Sequence, residues 1–458
     1  MPAWLAPALA YLPQWLDYQI AQMGLPGASF AVAQGGKVVL AHAIGVANIN
    51  TGEALTAEHR FRVASHSKTF TAAGILKLVE SGRLRLDDRA GAYVAGLHPE
   101  VARATVSQLL SHTGGIIRDG EDAGQWHDRR PFLNEAELRA ALAEAPVLPP
   151  NTRMKYTNHG FGLLGLIIAA VTGEDYNTWI AREIVAPAGL AHTLPDSPLP
   201  AGMPFARGHA SPALLGRRYV VPADNCTHAL ASATGFVSTP SDLVRFFSQL
   251  ATTSDSGLLS IESRREIARP MWRIPEMTVV RHYGLGTAHG ETGGWTWIGH
   301  GGGFQGVRSF TVVVPAQGVA LSLCLHATDG EPQGLIENAL RILQVFASSG
   351  AATAETAPWS GRFWNLWGAA DFIPVDGKVL VAQPSQGNPF ADGTELTVTG
   401  VDSARISKAT GYGSYGQSAR LLRDAGGAVE AVQFAGSRLT SHAEAVREAV
   451  DRYESGAS

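Results

Sequence analysis

The sequence predicts an α+β domain followed by a small antiparallel, barrel-like β domain. The chain has 458 residues, which is too long for one small core. Residues 1–345 mix apolar patterns of helical period with hairpin-like runs. Residues 361–458 carry short alternating runs separated by Gly and Asp turns. Between them, residues 346–360 lose periodicity and become rich in Ala, Ser, Thr and Gly, which predicts a linker.

Local patterns predict the first elements of the larger domain. The opening 24 residues have no early Lys or Arg and carry a proline and an aspartate inside their apolar stretch, so we expect an amphipathic helix and no export signal. Two β-leaning runs flank Gly35-Gly36, which is typical of a hairpin. A helix with an apolar face is expected from about Ser65, with a stop at Gly82.

Further elements follow along the same domain. Asn134 and Glu137 have the spacing of a capping box, which predicts a helix start. The run "GFGLLGLIIAAVTG" is apolar all round, as a fully buried helix is, and ends at Gly173. The run "SFTVVVPAQGVALSLCL" predicts two buried strands around a short turn.

Composition and charge argue against several classes of function. Hydrophobic residues make up 45% of the chain, charged residues make up 17%, and the net charge of −4 is spread without a basic tract or an acidic tail. Nucleic acid and membrane are therefore not expected as partners. Cys226 and Cys324 lie far apart, and the 15 histidines include no H-E-x-x-H pair, so neither a metal nor another cofactor is expected. A cytoplasmic location fits these features.

The segment "SHSK" brings a serine and one of six lysines into helical spacing. Residues i and i+3 share a helix face, so Ser65 can meet Lys68, whereas Ser67 cannot easily do so. Backbone N–H groups of the first turn would point to the same place and could hold an oxyanion. The lysine can accept a proton only if burial and nearby positive charge lower its pKa from about 10.4. A chance S-x-x-K spacing is the alternative interpretation.

A second candidate pair, Tyr156 and Asn158, lies immediately before the buried helix. Residues i and i+2 of an extended or loop segment can face one cleft. Tyr156 could relay a proton from Ser65 to a leaving group, and Asn158 could orient Lys68 and a substrate carbonyl. The alternative is that both residues merely cap the helix start.

The third candidate segment, "HGGGF", places His300 and three glycines before a strand. Glycine allows a backbone to approach a ligand closely, and one N–H group here could complete an oxyanion hole. A plain hairpin turn is the alternative. An H-G-G-G sequence also forms the oxyanion loop of lipases, but those enzymes need a G-x-S-x-G elbow, which this chain lacks.

Taken in this order, "SHSK", "YTN" and "HGG" resemble the motifs of the serine β-lactamase-like hydrolases. These include class C β-lactamases, DD-peptidases, D-aminopeptidases (peptidase family S12) and family VIII esterases. The phrases "VSQLLSHTGGI" and "YGLG" add to the resemblance, which covers about residues 15–345. It implies an antiparallel sheet flanked by helices beside an all-helical subdomain, with the site between them.

The resemblance also implies a role for each motif residue. Ser65 would be the nucleophile, Lys68 the base that activates it, and Tyr156 the proton shuttle. Backbone N–H groups of Ser65 and Gly303 would form the oxyanion hole. The residues implied in substrate binding or the oxyanion strand are Asn158, His300, Gly302 and Gly303.

The third motif departs from the pattern of β-lactamases and DD-peptidases. Those enzymes usually have Lys-Thr-Gly, which helps to bind a carboxylate, and a largely neutral His300 is a poorer anchor. Together with the C-terminal β domain, this motif resembles D-aminopeptidases and related amidases most closely. In those enzymes a loop of the β region can reach the cleft. The candidate here is "TGYGSYG" (410–416), with an exposed hairpin tip as the alternative.

An aminopeptidase also needs an acidic partner for the ammonium group of its substrate. Loop 116–132 offers Asp119, Glu121 and Asp122, and the alternative is that they are ordinary solvated side chains. Three histidines beside the motifs are expected to pack or hydrogen-bond and not to react: His66, His112 and His159.

The expected function is cleavage of a peptide or amide bond in a small molecule or short peptide through an acyl-Ser65 intermediate. A carboxylesterase that uses the same residues is the main alternative, and an acyltransferase is another. A binding or sensor protein with a disabled site is disfavoured because the motif residues are intact. The sequence leaves a homo-oligomer open.

Overall fold

The helices expected from the sequence are present in the computed structural model, which describes residues 1–222, 225–255 and 257–454. A 3₁₀ turn, Ala64–His66, directly precedes the second helix, so the predicted helix start near Ser65 is a turn followed by a helix. The helices in the described residues are α1 Leu5–Gln22, α2 Ser67–Glu80, α3 Pro99–Arg103, α4 Val106–Leu110, α5 Glu135–Leu142, α6 Asn158–Thr172, α7 Tyr176–Ile180, α8 Pro212–Leu215, α9 Pro240–Leu250, α10 Ile261–Ile267, α11 Pro332–Ser348 and α12 His442–Tyr453.

The described strands form two large sheets and two short pairs. Up to residue 325 the described strands are β1 Gly27–Gln34, β2 Lys37–Asn48, β3 Glu53–Ala54, β4 Phe61–Arg62, β5 Gly208–His209, β6 Val220–Val221, β7 Val237–Ser238, β8 Trp272–Arg273, β9 His282–Tyr283, β10 Ala288–Thr292, β11 Trp295–Phe304, β12 Val307–Val314 and β13 Val319–Leu325. The later ones are β14 Gly361–Asn365, β15 Gly368–Val375, β16 Lys378–Ala382, β17 Thr394–Gly400, β18 Ser403–Lys408, β19 Ser418–Arg423, β20 Val429–Phe434 and β21 Ser437–Leu439.

The first large sheet is antiparallel, with the strand order β3-β2-β1-β13-β12-β11-β10-β9-β8 among the described residues. The predicted hairpin at Gly35-Gly36 joins β1 to β2, and the predicted buried strands are β12 and β13. Every residue of β13 is buried, and α9 packs on β1 and β13. The sheet therefore provides a rigid platform on which β11 carries the third motif.

Helices α2 to α7 lie between β4 and β5 in the chain and form the expected helical part. Phe70 of α2 is fully buried, and its ring stacks on those of Phe236 and Phe246 with centroid distances of 4.2 and 3.9 Å. Full burial of such a side chain contributes about 1.5–3 kcal/mol. This packing fixes the position of α2, the helix that carries Lys68, the residue expected to act as the base.

Helix α6 starts and ends at specific capping residues. The Thr157 hydroxyl oxygen accepts a hydrogen bond from the Gly160 N–H at 3.0 Å, and Gly173 ends the helix with φ of 75°. The capping role considered for Tyr156 and Asn158 therefore belongs to Thr157. The capping box predicted for Asn134 and Glu137 is present at the start of α5.

The chain divides into two compact units. One unit comprises Leu25–Ile336, and the other comprises Met1–Gly24 together with Glu337–Ser458. The sequence-based bounds place α1 in the larger domain, whereas this division places it with the C-terminal strands. The bounds 1–345 and 361–458 stay a prediction.

The C-terminal strands form the predicted antiparallel barrel, which is closed. Strands β14 to β21 follow one another in chain order in the sheet. The first and last are joined next to β21, where the N–H groups of Trp364 and Thr440 each donate to the other's carbonyl oxygen, at 2.7 and 2.9 Å. Within the same unit α1 is attached to β15, because the Tyr11 hydroxyl donates to Asp371 at 2.9 Å. Arg362 of β14 also donates to that carboxylate, at 2.6 Å.

Among the described helices, none combines the length and the apolar character needed to cross a membrane. The cytoplasmic location stays a prediction.

Candidate active site

The turn that carries Ser65 is held from two sides. Ala64 has φ of 48°, a conformation that costs free energy for a residue other than glycine. The Ser67 hydroxyl donates to the Ala64 carbonyl at 2.5 Å and accepts from the Phe236 N–H at 2.9 Å. Ser67, which its spacing disfavours as a partner of Lys68, thus stabilises the turn that carries Ser65.

Lys68 Nζ lies beside the Ser65 hydroxyl. Its distances are 3.3 Å to Ser65 Oγ, 2.7 Å to Asn158 Oδ1 and 2.8 Å to the Ala233 carbonyl oxygen. The side chain is fully buried. Burial lowers the pKa of Lys68 well below its ordinary value; the Asp119 carboxylate opposes this shift, and the Arg118 guanidinium adds to it.

Tyr156 completes the group around Ser65. Its hydroxyl donates to Ser65 Oγ at 2.8 Å, and Lys68 Nζ lies 4.7 Å from the centre of its ring. Burial raises the pKa of Tyr156 well above its ordinary value. The phenol is therefore protonated at neutral pH, as a proton donor to a leaving group must be.

An acidic residue joins this group through Asn158. The Asn158 side-chain amide donates to Asp119 Oδ1 at 2.6 Å, and Arg118 forms an ion pair with Asp119 at 3.0 Å. Of the three carboxylates considered in the loop, Asp119 is thus part of the cluster. Glu121 is exposed, and Asp122 accepts a hydrogen bond from the backbone of its own loop.

Both ring nitrogens of His300 have hydrogen-bond partners within the protein. Its Nδ1 lies 2.7 Å from the Gly301 carbonyl oxygen and donates to it, so Nε2 accepts the hydrogen bond of the Tyr283 hydroxyl at 2.8 Å. Burial, together with the charges of His66 and Lys68, lowers the pKa of His300 to about 3. The ring is therefore neutral, and both nitrogens are engaged. Tyr283 belongs to the quoted "YGLG", but its contact with His300 was not predicted.

The glycines of the third motif differ in what surrounds them. A Cβ on Gly302 would lie 2.2 Å from the Val63 carbonyl oxygen and 2.7 Å from Ser309 Oγ. A Cβ on Gly303 would meet no atom within 4 Å. Gly302 thus lets β11 lie against the residue that precedes the turn of Ser65, whereas Gly303 borders open space.

The histidines beside the motifs are packed inside the protein. His66 Nδ1 and Nε2 lie within hydrogen-bond distance of the Val63 carbonyl oxygen and of Thr311 Oγ1, at 2.8 and 2.9 Å. His112 and His159 are fully buried. These positions agree with the expectation that they pack or hydrogen-bond.

Loop 410–416, which was considered as a lining of the cleft, lies between β18 and β19 of the barrel. Tyr412 and Tyr415 in this loop are exposed. Its role at a cleft stays a prediction.

Comparison with known proteins decides the family. The Beta-lactamase family profile matches residues 12–346, which is most of the chain. The chain belongs to the Beta-lactamase family. It accordingly has the β-lactamase-like fold.

Curated relatives match parts of the chain. Protein flp of Staphylococcus aureus (strain N315) is 30% identical over 184 residues, which are 39% of this chain and 36% of that protein. The match therefore spans about a third of the length of that relative. Penicillin-binding protein 4 of Amycolatopsis lactamdurans is 29% identical over 323 residues, which are 65% of this chain and 80% of that protein.

Solved structures share the fold. The D-stereospecific amidohydrolase from Streptomyces sp. is 27% identical, with a TM-score of 0.57 over 70% of this chain and 94% of that one. The octameric penicillin-binding protein homologue from Pyrococcus abyssi is 22% identical, with a TM-score of 0.66 over 94% of this chain and 99% of that one. The second likeness shows the fold alone, and it extends over nearly the whole chain.

Proposed function

We propose that the chain hydrolyses a peptide or amide bond of a small substrate through a covalent ester on Ser65. The observation that supports this best is the placement of Ser65 Oγ, 3.3 Å from Lys68 Nζ and 2.8 Å from the Tyr156 hydroxyl. A nucleophile within hydrogen-bond reach of both a base and an acid is the arrangement that acyl transfer needs.

In the proposed first step Lys68 is a neutral amine. Its two N–H bonds are directed to Asn158 and Ala233, so that its lone pair can face the Ser65 hydroxyl. Ser65 Oγ attacks the substrate carbonyl carbon while its proton passes to Lys68. Backbone N–H groups of Ser65 and Gly303 would hold the oxyanion.

In the second step the tetrahedral intermediate collapses and the C–N bond breaks. Tyr156 gives its proton to the departing nitrogen and regains one from the Lys68 ammonium, so the amine leaves neutral and Ser65 stays acylated. Water then attacks the ester carbonyl carbon and gives up a proton to Lys68. As the bond between the acyl carbon and Ser65 Oγ breaks, that proton passes to Oγ, the acid leaves, and the Ser65 hydroxyl is restored.

The charges around the site support a proposal for the substrate class. A neutral His300 offers no cation to the carboxylate of a penicillin or a peptide C-terminus. Asp119 lies at the site, and the exposed Glu121 is a further carboxylate for an ammonium group. We therefore propose amino-acid amides or short peptides with a free amino group, in keeping with the likeness to the Streptomyces amidohydrolase. The Pyrococcus homologue is octameric, and a homo-oligomer stays a proposal for this chain.

Parallel hydrolysis assays test the proposal. D-alanine and L-alanine p-nitroanilides, p-nitrophenyl acetate and nitrocefin are compared for the wild type, Ser65→Ala, and Ser81→Ala directly after α2 as the control. We expect anilide cleavage that is lost in Ser65→Ala and kept in Ser81→Ala, with an acyl adduct on Ser65 by mass spectrometry. Ester cleavage alone would indicate a carboxylesterase, and a fully active Ser65→Ala enzyme would overturn the mechanism.

A further inference from the structure

His112 holds the backbone on both sides of Tyr156. Its carbonyl oxygen accepts the Lys155 N–H at 2.7 Å, and its ring Nδ1 accepts the Thr157 N–H at 3.2 Å. The residue is fully buried and has φ of 60°, a conformation in which histidine is enriched among non-glycine residues. One residue, far earlier in the chain, thus fixes both neighbours of the tyrosine.

The His112 ring also contacts the Tyr156 ring directly. The two ring centroids lie 4.1 Å apart, and the Tyr283 ring lies 4.7 Å from the His112 ring. Tyr283 is held in turn by its hydrogen bond to His300 at 2.8 Å. The Tyr156 ring therefore packs against a row of buried rings, tilted by 38° and 48° to one another, that ends at His300 on the strand of the third motif.

We propose that His112 is a positioning residue, which keeps the Tyr156 hydroxyl on Ser65 Oγ through two backbone hydrogen bonds and one ring contact. The inference rests on the proposed function, in which Tyr156 transfers the proton to the leaving group. Proton transfer needs heavy-atom distances of about 2.6–3.2 Å, and a displacement of about 1 Å can cost roughly 100-fold in rate. Nothing in the reaction requires His112 to touch the substrate.

Two substitutions separate the contacts of His112. His112→Asn keeps a side-chain acceptor near the position of Nδ1 and suits the positive φ, but it removes the ring. His112→Phe keeps a ring beside Tyr156 and removes the acceptor. His326→Asn is the matched control, because His326 is also fully buried in the unit Leu25–Ile336 and contacts Phe61 and His209.

The readout is the ratio of kcat for an amino-acid amide to kcat for the p-nitrophenyl ester with the same acyl group. The ester has a good leaving group and depends little on protonation by Tyr156. We expect Tyr156→Phe to lower kcat for the amide by about 10²- to 10⁴-fold. We expect each His112 variant to lower it by roughly 10- to 100-fold, with only a few-fold loss for the ester. His326→Asn should lower the thermal midpoint without changing the ratio.

A double-mutant cycle measures whether His112 acts through Tyr156. If His112 acts through Tyr156, adding His112→Asn to Tyr156→Phe should cause little further loss of kcat for the amide. Independent, multiplying losses would overturn the inference, as would folded His112 variants with an unchanged amide-to-ester ratio. Failure of the proposed function is recognised separately, because the wild type would then cleave no amide, or Ser65→Ala or Tyr156→Phe would leave amide cleavage intact.

Discussion

At Lys68 two physical effects oppose each other. Three oxygen atoms lie within 3.3 Å of Nζ and would satisfy the N–H bonds of an ammonium group. Complete burial penalises the charged form, and this is the larger effect, so the pKa falls well below its ordinary value. Burial, helped by the Arg118 guanidinium, thereby favours the neutral amine that the proposed base must be.

The first prediction concerns Lys68→Arg. An arginine stays protonated at any working pH, so it keeps the positive charge but cannot accept the Ser65 proton. We expect kcat to fall by at least about 100-fold. Lys77→Arg is the control on the same helix, because Lys77 donates to the Leu258 carbonyl oxygen, away from Ser65, and should keep most of the activity. A Lys68→Arg enzyme with a tenth of the wild-type kcat would contradict the role of the base.

The second prediction concerns Asp119→Asn. The Asp119 carboxylate raises the pKa of Lys68 against the effect of burial, so its removal lowers that pKa further. Because the neutral amine is the active form, the acidic limb of the kcat/KM profile should move to lower pH. Glu121→Gln, with an exposed side chain, should leave this limb in place. A limb that stays fixed or moves to higher pH in Asp119→Asn would show that Asp119 does not act on Lys68.

The sequence predicted these residues to different degrees. The contact of Ser65 with Lys68 follows from helical spacing, which is local. The contact of Tyr156 with Ser65 spans 91 positions. The residues alone offered it beside a capping role for Tyr156, and the family resemblance favoured the contact. The contact of Asp119 with Asn158 was not predicted, because no local pattern distinguishes a buried carboxylate from its solvated neighbours.

At the scale of elements, the close approach of β11 to the turn of Ser65 depends on one glycine. Gly302→Ala would place a Cβ 2.2 Å from the Val63 carbonyl oxygen, so strand and turn would have to separate. We expect a large loss of kcat, and a loss of about 1–3 kcal/mol in the free energy of unfolding.

Gly303→Ala is the matched control for Gly302→Ala. A Cβ at position 303 would meet open space, and the backbone of Gly303 is not in the left-handed region. An alanine there also keeps the backbone N–H group. Assays of kcat and urea unfolding of both variants check the prediction. Equal loss of kcat in the two variants would show that the contact with Val63 is not what matters.

At the scale of the whole molecule, the sequence predicted the barrel but not all that belongs to it. Short runs of alternating apolar and polar residues, separated by turns, directly indicate strands. The antiparallel barrel could therefore be predicted from residues 361–458. The grouping of α1 with these strands could not, because it depends on contacts such as Tyr11 to Asp371, which are 360 positions apart. A helical pattern shows which face is buried, but not against which partner.

The last prediction concerns the stability of the unit Leu25–Ile336 in acid. Burial is the main cause that lowers the pKa of His66 and His289 to about 4, and of His300 and His326 to about 3. In the unfolded chain these rings bind protons below about pH 6.5. Between about pH 6.5 and pH 4 the unfolded state therefore binds more protons, so the free energy of unfolding falls as the pH falls.

Each buried histidine contributes up to about 1.4 kcal/mol per pH unit to this slope. Urea unfolding between pH 7.5 and pH 5 measures it. His326→Asn should reduce this slope by roughly the contribution of one histidine, even though it lowers the free energy of unfolding at pH 7.5. His127→Asn, at an exposed position, is the control for the substitution itself. An unchanged slope in His326→Asn would mean that this ring is already protonated in the folded protein, in conflict with its burial between Phe61 and His209.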